Sequence, residues 1–242
     1  MENYYSKINT ISSSQVDSYH KIRFDSILNV FQDLATAHST KMGVDFPTLL
    51  EKSNAFWVLS KIKFKIEGNI YQNDTVEAVT WPNKPSLIRF LRNFSVESKS
   101  SKIQGVSEWC VLDATTNSIR KFDSICYPQD LVHSEEKPEI SAFTKLNEEV
   151  LEDCLYYEYK VLFTDIDCNK HTNNVSYAKM ALNCFTPDEF EKFNFNAFEI
   201  HFISQSYFGN VIKVYKKQID SKVYIEGKLN DKIVFKCIFY NE

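Results

Sequence analysis

The sequence predicts an α+β protein of two tandem units, each a long helix wrapped by an antiparallel sheet. Three observations lead there. Short segments rich in Phe, Tyr, Val and Ile alternate with polar residues at a period of two. Two longer segments carry apolar residues at helical spacing. The order of elements then occurs twice. A length of 242 residues suits one large domain or two small ones, and 43% hydrophobic with 25% charged residues is the balance of an ordinary globular chain.

In chain order, a short strand comes first. A helix follows over about 26–42, with Ile27, Phe31, Leu34, Ala35 and Met42 on one side. Asp25 or Ser26 can cap its start, and Gly43 stands where a left-handed C-cap is wanted. Strands are expected near 57–67, 73–81, 87–98 and 104–113. In the first of these Ile62, Phe64 and Ile66 alternate with Lys61, Lys63 and Lys65, which implies one apolar face and one wet face. The second half reads strand 156–163, then a helix over 174–185 with Val175, Ala178, Leu182 and Phe185 on one side. A short helix opens at Thr186-Pro187-Asp188-Glu189, where Thr caps, Pro takes the first turn and Glu completes a capping box. Strands near 197–206, 211–219, 221–229 and 232–240 close the chain.

The polar, acidic stretch 128–149 reads as a linker, so the expected domains are 1–127 and 150–242. A long helix followed by a curling sheet is the hotdog arrangement. Two such units side by side would form one continuous sheet and cover an edge that each alone leaves bare: a double hotdog. The alternative is an unrelated pair of α+β domains.

Composition narrows the function. With five glycines there is no phosphate-binding loop, and a net charge of −4 gives no general affinity for nucleic acid. The six cysteines (Cys110, Cys126, Cys154, Cys168, Cys184, Cys237) form no C-x-x-C pair, which suits free thiols in a reducing cytoplasm and offers no zinc site. Met1-Glu2-Asn3-Tyr4 lacks the basic-then-apolar pattern of a secretion signal. No apolar run approaches the roughly 20 residues of a membrane helix.

The most informative segment is Phe163-Thr-Asp-Ile-Asp-Cys-Asn-Lys-His-Thr-Asn-Asn-Val175. Asp165, Asp167, Asn169, His171, Asn173 and Asn174 crowd a strand-to-helix junction. Helix-start amides favour an anion, such as the oxyanion formed when a thioester carbonyl is attacked. An imidazole there can hold or deprotonate water near neutral pH, and a carboxylate can orient it. The plainer reading is a polar loop with Asn173 as N-cap and a solvated histidine.

That segment, continued to Val175-x-Tyr177, resembles the D-x-D-x-N-x-H-x-N-N-x-x-Y signature of the acyl-acyl carrier protein thioesterases of plants and bacteria. Trp57-Val-Leu-Ser60, Asn73-Asp-Thr-Val-Glu77 and Thr80-Trp-Pro82 resemble that family's first-half run, and the likeness extends from about Tyr4 to Tyr240. The resemblance implies an acyl-thioester hydrolase of double-hotdog fold that works without metal or organic cofactor. Its substrate would be carried by acyl carrier protein, with some tolerance for acyl-CoA, and a homodimer is compatible with the fold.

By the resemblance, His171 is general base or water-holder, Asn169 orients the attack and the carbonyl, and Asp167 completes the network. Asn173 and Asn174 are assigned to substrate binding. Where the family places a glutamate before a Gly-Asp turn, this chain has Gln205, followed by Ser206 where plant members carry Cys. Glutamine cannot accept a proton but can hydrogen-bond water or the imidazole. Phe31, Leu34, Phe56, Trp57, Leu59 and Phe90 are assigned to the wall of an acyl tunnel.

Two other activities stay open. One is a non-catalytic acyl-binding hotdog protein, kept alive by Gln205. The other is a hotdog dehydratase, which Asp33 and His38 serve poorly. His38 reads as a core histidine; His20, His133 and His201 lack acidic company in sequence. Lys61/Lys63/Lys65, Arg89/Arg92 and Lys213/Lys216/Lys217 form basic stripes that could dock an acidic carrier.

Overall fold

A computed structural model describes residues 3–134, 136–147 and 152–242. The chain divides into two compact units, Met1–Ile22 with Ser26–Ser141, and Arg23–Asp25 with Ala142–Glu242. The expected linker crosses that division, and its residues 135 and 148–149 lie outside the described ones.

The first unit holds β1 (Tyr5–Thr10), α1 (Phe24–Lys41, apart from its first two residues), α2 (Phe46–Ser53), β2 (Ala55–Glu67), β3 (Thr75–Pro82), β4 (Phe90–Glu97) and β5 (Lys102–Asp113). Its strands pair antiparallel in the order β1-β3-β4-β5-β2. Ile27, Phe31 and Leu34 of α1 are buried against this sheet's core. The Phe31 ring stacks on Phe94 at 4.3 Å and lies over Gly105, the one residue type that leaves it room. Gly43 ends the α1 segment at φ +67°, as the sequence suggests. Helix α2 adds to the expected elements. Its signal is Asp45, whose side chain accepts from the Thr48 N–H at 3.1 Å, with Pro47 in the first turn.

The second unit holds β6 (Leu155–Lys160), α3 (Asn174–Leu182), α4 (Pro187–Phe193), β7 (Ala197–Phe202), β8 (Val211–Ile219), β9 (Lys222–Leu229) and β10 (Lys232–Tyr240). Its strand order is β7-β10-β9-β8-β6, also antiparallel. The Thr186 capping box forms as expected. Strands β6 and β7 stop short of their expected ends at 163 and 206. Both tails leave the sheet to build the junction described below.

Several side chains of the basic stripes are paired or turned inward, while Arg89 is exposed. A bulge at Ser60 interrupts β2, so the alternation does not run unbroken along the strand. Lys63 is fully buried with its Nζ on the Ser141 side chain, while Lys61 and Lys65 pair with Glu108 and Glu67 at 3.9 and 3.3 Å. Arg92 points inward to His38 Nδ1 at 3.0 Å, and burial lowers its pKa to about 10. Lys216 pairs with Glu189 at 2.6 Å.

Candidate functional site

The signature segment folds as a chain of backbone accounts settled by side chains. After β6, residues Phe163–Asp165 make a 3-10 turn. The buried Asp165 carboxylate accepts from the Leu162 N–H at 2.8 Å and from the Tyr159 hydroxyl at 2.9 and 3.1 Å. Partial burial and that carboxylate push the Tyr159 pKa up to about 12. The Asp165 carbonyl accepts from the Asn173 N–H at 2.7 Å. This first aspartate is therefore scaffold.

Ile166 then bridges to Thr172, closing a five-residue loop over 167–171. Asp167 N–H donates to the His171 carbonyl at 2.9 Å, and Lys170 N–H to the Asp167 carbonyl at 3.0 Å. The Asp167 carboxylate accepts from the N–H groups of Asn169 at 2.8 Å and His171 at 3.3 Å. It meets its own loop's backbone rather than the imidazole. Lys170 takes the left-handed turn position at φ 65°. Asn169 stands exposed and His171 half-buried, its ring edge-on to Tyr207 with centroids 5.2 Å apart. Asn173 caps α3, accepting from the Val175 N–H at 2.8 Å, and its carbonyl takes the Ser176 N–H. Asn173 is thus the N-cap of the plainer reading, and capping occupies two of the amides that a helix start otherwise offers an anion. Asn174 supplies the first residue of the helix.

The second wall is the β7–β8 connection. Thr172 N–H donates to the Ser206 carbonyl at 2.9 Å, and Ser206, fully buried, lies within 2.7 Å of the Thr172 hydroxyl and 2.8 Å of the Tyr177 hydroxyl. Ser206 N–H also donates to the Tyr177 oxygen at 3.0 Å. Burial raises the Tyr177 pKa, so this phenol stays protonated. Pinning Ser206 sets the Ser206–Tyr207 peptide beside the His171–Thr172 peptide, and Gln205, next in the chain before Ser206, is exposed. Among the described residues no hydrogen bond joins the side chains of Asp167, Asn169, His171 and Gln205 to one another.

The first unit repeats this construction nearly bond for bond. Val16 bridges Ile22 as Ile166 bridges Thr172. Asp17 N–H donates to the Lys21 carbonyl at 2.8 Å, and the Asp17 carboxylate accepts from Tyr19 and Lys21 N–H at 2.8 and 3.0 Å. His20 holds φ 59°, matching Lys170. Ile22 N–H donates to the Ile70 carbonyl at 2.9 Å, as Thr172 does to Ser206. Tyr71 N–H binds the Asp74 side chain at 2.8 Å, as Tyr207 N–H binds Asn210 at 2.8 Å. The repeat sorts the site. Asp167 and Tyr207 have counterparts in Asp17 and Tyr71, whereas Asn169, His171 and Gln205 stand where the first unit has Tyr19, Lys21 and Asn69.

Residues 2–126 match the acyl-ACP thioesterase N-terminal domain and residues 148–236 the C-terminal domain of the same family. The chain belongs to the acyl-ACP thioesterase family. Among curated relatives it is 24% identical over 183 residues to oleoyl-acyl carrier protein thioesterase 1 of Arabidopsis thaliana, covering 69% of this chain and 51% of that protein. It thus spans about half the length of the curated relatives it matches. Its fold is that of an acyl-ACP thioesterase from Bacteroides thetaiotaomicron, at TM-score 0.89 and 21% identity over 99% of this chain and 98% of that one. A 12:0-ACP thioesterase from Umbellularia californica follows at TM-score 0.81 and 15% identity, with 99% and 97% covered. The double-hotdog fold expected from the sequence is the fold of this family.

The remaining candidates fall as follows. Phe31 and Leu34 are buried in the first unit's core, and Phe90 packs with Trp57, Phe122 and Tyr127 in an aromatic cluster. Phe56, Trp57 and Leu59 are half-buried on β2, with Trp57 Nε1 donating to the Val44 carbonyl at 2.7 Å. A cavity of about 170 Å³ lies between β1 and α1, and Leu34 lines it with Tyr5, Lys7, Asn9 and Asp33. Those polar walls do not suit an acyl chain. His201 does have acidic company: its Nε2 lies 2.6 Å from buried Glu199, which also accepts from Thr144 N–H and hydroxyl. That pair fastens residue 144 to β7. Among the described residues no cluster of three or more His, Cys, Asp or Glu could hold a metal ion, and no helix is long and apolar enough to cross a membrane.

Proposed function

We propose that this protein hydrolyses the thioester of acyl-acyl carrier protein and releases a free fatty acid, with acyl-CoA as a poorer substrate. The observation that carries the reading is the junction loop: family membership over both halves, with Asn169 and His171 presented on a rigid frame whose first-unit copy lacks both.

The chemistry follows from those groups. His171 takes a proton from water as the water oxygen attacks the thioester carbon. The Asn169 amide donates to the carbonyl oxygen as it becomes an oxyanion. The carbon–sulfur bond then breaks, and the departing sulfur takes the proton back from the imidazolium. Gln205 steadies the water without taking its proton, and Asp167 holds the loop's backbone in shape. Phe31, Leu34, Phe56, Trp57, Leu59 and Phe90 are proposed to guide the acyl chain, each methylene gaining about 0.8 kcal/mol on burial. With Lys63 and Arg92 turned inward, the carrier's approach is assigned to the exposed rim of Leu162, Phe163, Tyr207 and Phe208, of which Phe163 is 84% exposed. A cytoplasmic setting suits six cysteines that all remain free thiols.

The test is thiol and fatty-acid release from matched acyl-ACP and acyl-CoA panels. Wild type should release both products, and His171→Ala should lose about 100-fold or more in kcat. A wild type that binds acyl chains and releases nothing would instead establish the acyl-binding protein that Gln205 suggests.

A further inference from the structure

We infer that Thr172, Ser206 and Tyr177 form a positioning cluster, whose hydroxyls lock the loop that carries Gln205 to the loop that carries His171. The inference deepens the hydrolase reading and rests on it. All three residues are buried, at 5%, 0% and 2% exposure. The two hydroxyl–hydroxyl contacts can run either way, and one assignment of the protons satisfies every bond. In it, Ser206 N–H donates to the Tyr177 oxygen, the Tyr177 hydroxyl to Ser206 Oγ, Ser206 Oγ to the Thr172 hydroxyl, and that hydroxyl to the Ser206 carbonyl at 3.1 Å. Every donor in the circuit is used.

The internal repeat shows that the fold does not need them. Aligned through the shared backbone bonds, Thr172, Ser206 and Tyr177 correspond to Ile22, Ile70 and Ile27. Those isoleucines are 6%, 1% and 0% exposed and sit in the same backbone scheme with no polar side-chain atom. Burying hydroxyls costs free energy that apolar groups do not, so the second unit carries a cluster its architecture does without. What hydroxyls add over isoleucines is direction: hydrogen bonds fix angle and register, whereas methyl packing tolerates sliding. The beneficiaries are the chain neighbours. His171 precedes Thr172, and Gln205 precedes Ser206. The cluster therefore sets the separation of the imidazole and the amide that share the attacking water. These are positioning residues; none touches the reacting atoms.

Three variants test this: Thr172→Val, which keeps shape and removes one hydroxyl; Tyr177→Phe; and Ile22→Val as a first-unit control for lost packing. Readouts are kcat and KM on acyl-ACP, melting temperature, and the NMR signals of the His171 ring and the Gln205 side-chain amide. We expect Thr172→Val and Tyr177→Phe to fold and to lose about 10- to 100-fold in kcat, as small misplacements in an active site do. KM should stay within about twofold, since ground-state binding is not what the cluster governs. The His171 and Gln205 signals should move, while Ile22→Val leaves kcat and those signals unchanged. Two results overturn the proposal: kcat losses no larger than the control's despite lowered melting temperatures, or unmoved His171 and Gln205 signals in Thr172→Val. Should wild type hydrolyse no thioester at all, the hydrolase reading fails separately, and the NMR signals alone decide whether the cluster positions the two side chains.

Discussion

Replacing Asp167 separates shaping a loop from doing proton chemistry. Its carboxylate accepts one good backbone hydrogen bond at 2.8 Å and one long one at 3.3 Å, and the residue is only half-buried. Hydrogen bonds to a charged group contribute about 1.5–3 kcal/mol each when buried. With one bond long and water at hand, Asp167→Ala should cost about 2 kcal/mol in total. In a chain of this size that lowers Tm by about 4–8 °C. Asp17→Ala breaks the equivalent bonds at 2.8 and 3.0 Å, so its stability cost should be similar. Asp167→Asn keeps an acceptor oxygen and should recover most of the loss. Scanning calorimetry or urea unfolding reads the stability side, and fatty-acid release from acyl-ACP reads the activity side. Asp17→Ala should leave kcat intact, Asp167→Ala should lower it about 100-fold by displacing His171, and Asp167→Asn should stay within about tenfold of wild type. An Asp167→Asn variant as inactive as Asp167→Ala, with Tm restored, would refute the reasoning and make the carboxylate a chemical participant.

Three further outcomes follow. Gly105→Ala drives its Cβ into the Phe31 ring (2.7 Å from Cζ), and Gly227→Ala drives its own into Phe235 (2.6 Å from Cδ1), so each should cost about 1–3 kcal/mol in denaturant titration. Burial pushes the Cys184 thiol up to about 12 and Cys237 well above its ordinary value, whereas Cys168 is exposed. Mass spectrometry after brief alkylation of the native protein near neutral pH should therefore find Cys168 labelled and Cys184 and Cys237 untouched, because only the thiolate reacts. Lys63→Glu should lower stability by about 3 kcal/mol, since it puts an unmatched carboxylate where a buried ammonium meets Ser141. It should do so without the selective loss of carrier kinetics that a docking residue would show.

Much of the fold was legible because its elements are locally consistent. The α1 stripe of Ile27, Phe31 and Leu34 is a helical period with a glycine stop, and Thr186-Pro-Asp-Glu189 is a complete capping box. The shape of the repeat was also legible as an order of elements, but its bond-level likeness was not. That likeness resides in backbone bonds, and Asp17-Ser-Tyr-His-Lys21 shares only its aspartate with Asp167-Cys-Asn-Lys-His171. Lys63 misled for a related reason. Alternation predicts which face a residue is on, while solvent on that face depends on what the rest of the chain lays over it, here Ser141. At the site, the spacing of Asp167, Asn169 and His171 was legible as one polar group, whereas the hydrogen bonds from the loop's own N–H groups to the Asp167 carboxylate were not, because they depend on the left-handed turn at Lys170. The Thr172–Ser206–Tyr177 cluster is not legible in the sequence because Ser206 lies 34 and 29 residues from its two partners along the chain.

The central claim is that the two units share one loop frame and that the second unit's side chains supply the reaction. Grafting the first unit's residues onto the second, Asn169→Tyr with His171→Lys, tests it directly. The account predicts a protein that melts within a few degrees of wild type and releases no fatty acid from acyl-ACP. Continued release by that double variant would mean that the chemistry lies elsewhere in the molecule.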